Sequence, residues 1–206
     1  MELLIIRHGE SEADLLGVHE GRANFPLTEL GIEQASKMAI YVKSHFPPNV
    51  ILCSPLSRAK STATILQSNI GCELYEESDL MEFNNGVLAG LPRGEAAIKY
   101  PLPKEGRPIY IPIEAGESEL AFRYRAEYIL RKIIEEYKDY QRVAIVSHGG
   151  LISNLIKAFL QLPVNSDYIF PTGDTGIHLL TIEQDKRIIR FLNRLEHINI
   201  EEEVIK

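Results

Sequence analysis

Leu3-Leu4-Ile5-Ile6-Arg7-His8-Gly9-Glu10-Ser11 is the stretch from which the rest of this chain is read. Four consecutive large apolar residues predict a strand buried on both faces, as in a parallel sheet covered by helices. In an open parallel sheet, ligands bind in the crevice outside the carboxyl ends of the strands. At this strand end an imidazole stands between a cation and a glycine, which makes His8 a candidate nucleophile. A lone Arg-His-Gly is better explained as a solvated strand end. The assignment therefore depends on whether other strands bring matching groups to the same crevice.

Two do. Val50-Ile51-Leu52-Cys53 reads as a second buried strand, and Ser54-Pro55-Leu56-Ser57 turns into a helix that begins near Arg58 and stops near Gly71. Val143-Ala144-Ile145-Val146 repeats the opening theme and runs into Ser147-His148-Gly149-Gly150, followed by a helix with Leu151, Leu155, Phe159 and Leu162 inside. Two imidazoles and two guanidiniums thus converge on one crevice in a chain of net charge -7. Their natural ligand is an anion. Phosphate fits best, because planar guanidinium forks bind its oxygens bidentately.

Between these strands the pattern is mostly helical. Ser11 to Leu16 predicts a short helix whose first amides face the His8 end of the sheet, a ready anion site. A loop from Gly17 to Pro26 follows, and Thr28 is a plausible N-cap for a helix with Ile32, Ala35, Met38, Ala39, Val42 and Phe46 on its buried face. Glu73–Glu76 reads as a short strand. From Phe83 to Gly116, prolines at 92, 101, 103, 108 and 112 exclude regular sheet, so this segment reads as an insertion lying over the crevice as a lid. Ser118 caps a long helix with Phe122, Ala126, Ile129, Ile133 and Tyr137 buried. Gly176–Ile182 and Arg187–Asn193 form a closing hairpin, and Glu201-Glu202-Glu203 a solvated end.

At 206 residues the chain suits one elaborated domain, 1–206. Its negative net charge disfavours a nucleic-acid or anionic-membrane surface. No apolar run approaches the ~20 residues of a membrane span, and no secretory signal pattern is present. Cys53 and Cys72 form neither a metal-ligand pair nor a disulfide framework, which fits a reducing cytoplasm. No helix shows an exposed apolar stripe, so the sequence names no partner subunit.

Competing chemistries fail on spacing. A cysteine-based phosphatase needs five residues between thiolate and arginine, but only four separate Cys53 from Arg58. There is no G-x-S-x-G elbow, phosphate loop or dinucleotide fingerprint. His8 and His148 could ligate a metal, yet Arg7 and Arg58 would repel it, so neither metal nor cofactor is expected. His19 lies in the loop over the crevice, His45 at a helix end, His178 within a strand pattern and His197 near the tail; none is assigned a role.

Arg7-His8-Gly9-Glu10-Ser11, Pro26-Leu27-Thr28-Glu29, Ser54-Pro55-Leu56-Ser57-Arg58-Ala59, Glu82, Gly116-Glu117-Ser118 and Ser147-His148-Gly149 together resemble the histidine phosphatase superfamily, also called phosphoglycerate mutase-like. The resemblance implies an α/β fold, a three-layer α/β/α sandwich with a mostly parallel central sheet and a lid insertion. It implies that His8 attacks phosphorus to form phosphohistidine, that Arg7, Arg58, His148 and Gly149 hold the phosphoryl group, and that Glu82 serves as acid and then base. The substrate would be a small phosphorylated metabolite contacted by Ser11, Asp14, Glu20, Gly21 and Phe83. Two departures stand out. Asp14 and Glu20 put carboxylates where the family usually has amides. They are expected either to offset the arginines, favouring a cationic or hydroxyl group beside the phosphate, or to face solvent. A mutase is the close alternative, although Phe83 stands where mutases of the family keep an arginine. A catalytically weak phosphate-ligand binder is the other.

Overall fold

Six strands order the computed structural model, which describes residues 1–199. The expected acidic end at Glu201–Glu203 lies outside them. The strands are β1 (Glu2–Arg7), β2 (Val50–Cys53), β3 (Glu73–Glu76), β4 (Arg142–Ser147), β5 (Ile177–Glu183) and β6 (Lys186–Arg194), in the order β3-β2-β4-β1-β5-β6. The first four run parallel, with Leu3 opposite Val143 and Val143 opposite Val50. β5 and β6 are antiparallel and cover the far side of β1. Gln184 and Asp185 join them with φ of 49° and 64°, the left-handed pair that matches a two-residue turn to strand twist.

Helices α1 (Glu12–Leu16), α2 (Glu29–His45), α3 (Ser57–Ile70), α4 (Arg93–Lys99), α5 (Glu119–Glu136) and α6 (Gly149–Phe159) complete the elements used below. Side chains alternate across a strand, so the unbroken apolar runs feed two cores. Leu3, Ile5, Val143 and Ile145 pack on Phe122, Ala126, Ile129, Leu151 and Leu155 of α5 and α6. Leu4, Ile6, Ala144 and Val146 pack on Met38, Val42, Ala59, Ala63 and Leu66 of α2 and α3. This is the three-layer α/β/α arrangement with a mixed central sheet.

The helix ends follow their sequence signals. Thr28 Oγ1 accepts from Gly31 N–H at 2.9 Å, and Ser118 Oγ from Ala121 N–H at 3.1 Å. Gly71, at φ 84°, ends α3. Some expectations need correction, Phe46 and Tyr137 among them, since each lies one residue past its helix and is half-buried. Ile32 is 49% exposed, because α2 meets the β1 exit through its neighbour Gly31. A Cβ on Gly31 would lie 2.1 Å from the Glu10 carbonyl oxygen, and one on Gly9 would lie 2.4 Å from that of Gly31, so only two glycines permit this approach. Leu162 lies beyond the end of α6 and is half-buried rather than inside it.

Residues 83–116 hold one 3-10 turn, Gly86–Leu88, and α4, and are otherwise irregular. Their two ends are tied together. Asn84 N–H donates to Glu117 Oε1 at 2.7 Å and Glu117 N–H to the Asn84 carbonyl at 2.8 Å. A Cβ on Gly116 would lie 2.8 Å from the Gly86 nitrogen.

Candidate active site

β1 ends at Arg7, and the next residue, His8, is buried at the β1/β4 edge with its N–H donating to the Ser147 carbonyl at 3.0 Å. Its Nδ1 lies 2.7 Å from the Gly9 carbonyl oxygen. A carbonyl only accepts, so Nδ1 carries the proton and the neutral ring keeps its lone pair on Nε2. Burial, then Arg58, then Arg7 hold the His8 pKa well below the usual 6.5, against the opposing pull of the Gly9 carbonyl. The ring is therefore neutral at neutral pH.

Cations and a second imidazole surround that lone pair. Fully buried Arg58, in the first turn of α3, donates from Nε to His8 Nε2 at 3.2 Å. The carbonyls of Ala23 and Gly21 accept from its other nitrogens at 3.0 and 2.8 Å. His148, at the N-cap of α6, stands edge-on with ring centroids 5.0 Å from His8. Its Nε2 is 2.8 Å from Ser54 Oγ, and its buried Nδ1 has no protein partner among the described residues. Burial, then His8, Arg58 and Arg7, each of which opposes a second positive charge here, depress its pKa well below 6.5. Arg7 donates to the Thr172 carbonyl at 2.7 Å and pairs with Asp174 at 3.1 Å. Gly149 follows at the first position of α6, with Arg7 Nε 3.8 Å from where a Cβ would stand.

The two unusual carboxylates part ways. Asp14 is exposed and reaches back to Ser11, accepting from its N–H at 3.0 Å and its hydroxyl at 3.1 Å. The amide expected to greet an anion at the start of α1 is thus already taken by the chain itself, and Asp14 does not line the cavity described below. Glu20 does line it. One of its oxygens accepts from Ser11 Oγ at 2.6 Å and lies 3.1 Å from Arg58 Nε, while the other is 4.0 Å from His8 Nε2. An intrinsic carboxylate therefore sits on the guanidinium that a phosphoryl oxygen would need. Burial raises the Glu20 pKa above its ordinary 4.5 despite Arg58.

Glu82 follows the 3-10 turn Ser78–Leu80. Its two carboxylate oxygens accept from Phe83 N–H and Gly150 N–H, each at 2.8 Å. A Cβ on Gly150 would stand 2.6 Å from the Glu82 carboxylate, so this glycine makes room for the acid. Behind it, Arg125 of α5 donates to the carbonyls of Asp79, Met81 and Glu82 at 2.8, 2.6 and 3.1 Å and pairs with Glu117 at 2.7 Å. Arg22 adds a bond to the Glu82 carbonyl at 3.2 Å. Phe83 turns its ring edge-on to Phe122, centroids 5.3 Å apart. It helps line a cavity of about 910 Å³ that His19, Glu20, Gly21 and Glu82 share with the 83–116 segment.

With His8, its cationic cage and a carboxylate drawn together from strand ends and loops, comparison with known proteins is informative. Residues 3–195 match the profile of the histidine phosphatase superfamily (branch 1). The chain belongs to this superfamily. Among its histidine phosphatase relatives, the adenosylcobalamin/alpha-ribazole phosphatase of Escherichia coli K12 is 30% identical over 94% of this chain and 96% of that protein. The metal-independent phosphoserine phosphatase of Arabidopsis thaliana is 32% identical over 96% of this chain and 83% of that protein. The crystal structure of the alpha-ribazole phosphatase from Shigella flexneri superposes with a TM-score of 0.84 at 29% identity, covering 94% of this chain and 96% of that one.

Sequence reasoning missed the supports of this histidine phosphatase site: Ser54, Gly150, Arg125, Arg22 and the Thr172–Asp174 loop. Most act through backbone groups, which leave no pattern in side-chain type. Only the second glycine after His148 gave a usable signal.

Proposed function

We propose that the protein is a metal-independent phosphomonoesterase that works through phosphohistidine at His8 on a small phosphorylated metabolite. The observation that carries this reading is His8 itself: Nδ1–H held by Gly9, an unprotonated Nε2 that accepts from Arg58 Nε, and His148 beside it. In the first step the Nε2 lone pair forms a bond to phosphorus while the ester P–O bond breaks, and Glu82 in its acid form gives its proton to the leaving oxygen. In the second, Glu82 takes a proton from water, the resulting oxygen attacks phosphorus, and the P–N bond returns its electrons to His8. Arg7, Arg58, His148 and the Gly149 backbone would stabilise the charge spread over the transferring oxygens.

Within this reading Ser11, Glu20, Gly21 and Phe83 shape the entrance, Asp14 acts on it through Ser11, and residues 83–116 serve as the lid of a single domain, 1–206. Net charge -7 supports neither a nucleic-acid nor an anionic-membrane partner, and the free thiols Cys53 and Cys72 suit a cytoplasmic location. The test is phosphate release from an aryl phosphate in chelator-treated buffer, wild type against His8→Ala. We expect a loss of at least about 10³-fold in the variant, with acid-labile phosphate trapped on the wild-type protein alone. Wild-type release no faster than that of the variant would make the protein a binder of phosphate ligands instead.

A further inference from the structure

The cavity in front of Glu82 is larger than a phosphoryl group and a short alcohol require. Its volume of about 910 Å³ lies towards the upper end of the ~300–1,000 Å³ typical of small-molecule sites. Beyond the phosphoryl end its walls are mostly apolar, with Phe83 at the base and Leu88, Tyr100, Leu102, Ile111 and Ile113 from the 83–116 segment. Leu102 is 67% exposed and Ile111 43% exposed, so large apolar surface faces this space uncovered by any of the described residues.

The charges lie unevenly along the cavity. At the strand ends stand Glu82, whose carboxylate takes only backbone N–H bonds, and Glu20, which shares Arg58. Glu117 is offset by Arg125 and, at 3.7 Å, by Arg22. The cations Arg93 and Arg107 that also line the cavity belong to α4 and the coil after it, not to the strand ends. A carboxylate carried next to the ester oxygen would therefore meet the Glu20 carboxylate and find Arg58, Arg22 and Arg125 already paired, whereas an apolar body would be received by the walls.

Resting on the phosphomonoesterase reading above, we infer that the physiological substrate is the phosphate ester of a large, mainly apolar or aromatic alcohol. Alcohols with a carboxylate beside the ester oxygen, as in phosphoserine, are poor substrates. The preference appears mainly in KM, since the apolar body is held equally before and during phosphoryl transfer.

Ethyl, benzyl and naphthylmethyl phosphates test this, because their alcohols are of similar acidity and differ chiefly in apolar area. We expect kcat/KM to rise at least about tenfold from ethyl to naphthylmethyl, with phosphoserine below ethyl phosphate. Ala97→Trp, an exposed position of α4 that opens onto the cavity, should shrink the naphthylmethyl-to-ethyl ratio. A flat or falling series, or phosphoserine ahead of the aromatic esters, overturns the inference. The matching phosphonates, which cannot be hydrolysed, are titrated by calorimetry alongside. Binding in size order with no ester turned over would defeat the phosphatase reading and uphold the cavity assignment; binding without size order would overturn that assignment.

Discussion

Glu20 shows how one side chain can set the terms on which an anion enters. Its carboxylate lies on Arg58 at 3.1 Å, so a phosphate oxygen must displace it or meet it protonated. Two unit charges ~4 Å apart repel by about 4 kcal/mol at an effective dielectric of 20, and partial exposure of Glu20 reduces that. Glu20→Gln is therefore expected to lower the inhibition constant of inorganic phosphate about tenfold at pH 8, a conservative share of that repulsion. Because burial raises the Glu20 pKa, acid neutralises the wild-type side chain first, and the gap between the two proteins should close as pH falls towards 5. Equal inhibition constants at pH 8 would refute this. Position 20 was legible in the sequence as a departure, and so was position 14. Their different fates were not: Asp14 is three residues from Ser11 and closes a local turn, while Glu20 reaches the crevice through a loop whose path no periodicity encodes.

At the level of elements, the site stands on a repeated device. A four-residue apolar strand ends in His8 and again, one strand over, in His148, and both signals were readable because two-sided burial forces an unbroken apolar run. The position of Glu82 was not readable, because a helix far along the chain fixes it. Arg125 holds the carbonyls of Asp79, Met81 and Glu82 from α5, and nothing in the α5 sequence separates it from the other cations of that helix. Arg125→Met should leave KM nearly unchanged and lower kcat by about 10- to 100-fold, the scale of an ångström's misplacement of a reacting group. Steady-state kinetics of the folded variant check this; a change confined to KM would place Arg125 in substrate binding instead. Thr28 and Ser118 were legible as caps for the opposite reason, since an N-cap acts on its own neighbours.

For the whole molecule, buried histidines couple stability to pH. His178 and His197 are fully buried against Thr172 and Thr175, and burial lowers each pKa to about 4. His197 looked like part of the tail in the sequence, yet the 3-10 turn Glu196–Asn199 folds it under Tyr41. Below pH 6.5 the unfolded chain binds protons that these rings refuse, so stability is fully present above 6.5 and is lost as pH falls towards 4. Each contributes up to about 3 kcal/mol over that window. Thermal unfolding between pH 7 and 4.5 should show a steep fall in Tm, less steep in His178→Asn; a level profile would contradict it. The same threonine loop supports Arg7 and, through Thr175 N–H, the His8 carbonyl at 3.1 Å, so protonation of these rings acts on the floor of the site as well as on the fold. The 83–116 segment was legible only as a proline-rich exception. Its two ends meet at Asn84 and Glu117, its first residue Phe83 donates one of the N–H bonds to the Glu82 carboxylate, and its middle is tied to the 17–19 loop by His19 N–H to the Leu91 carbonyl at 2.9 Å and Gly90 N–H to the His19 carbonyl at 2.7 Å. Such a segment works like a cartridge with two sockets: a designer could exchange its middle for a stretch of another length and chemistry only by keeping both seats, at Asn84–Glu117 and on the 17–19 loop, so that Glu82, His8 and their braces stay in the chassis.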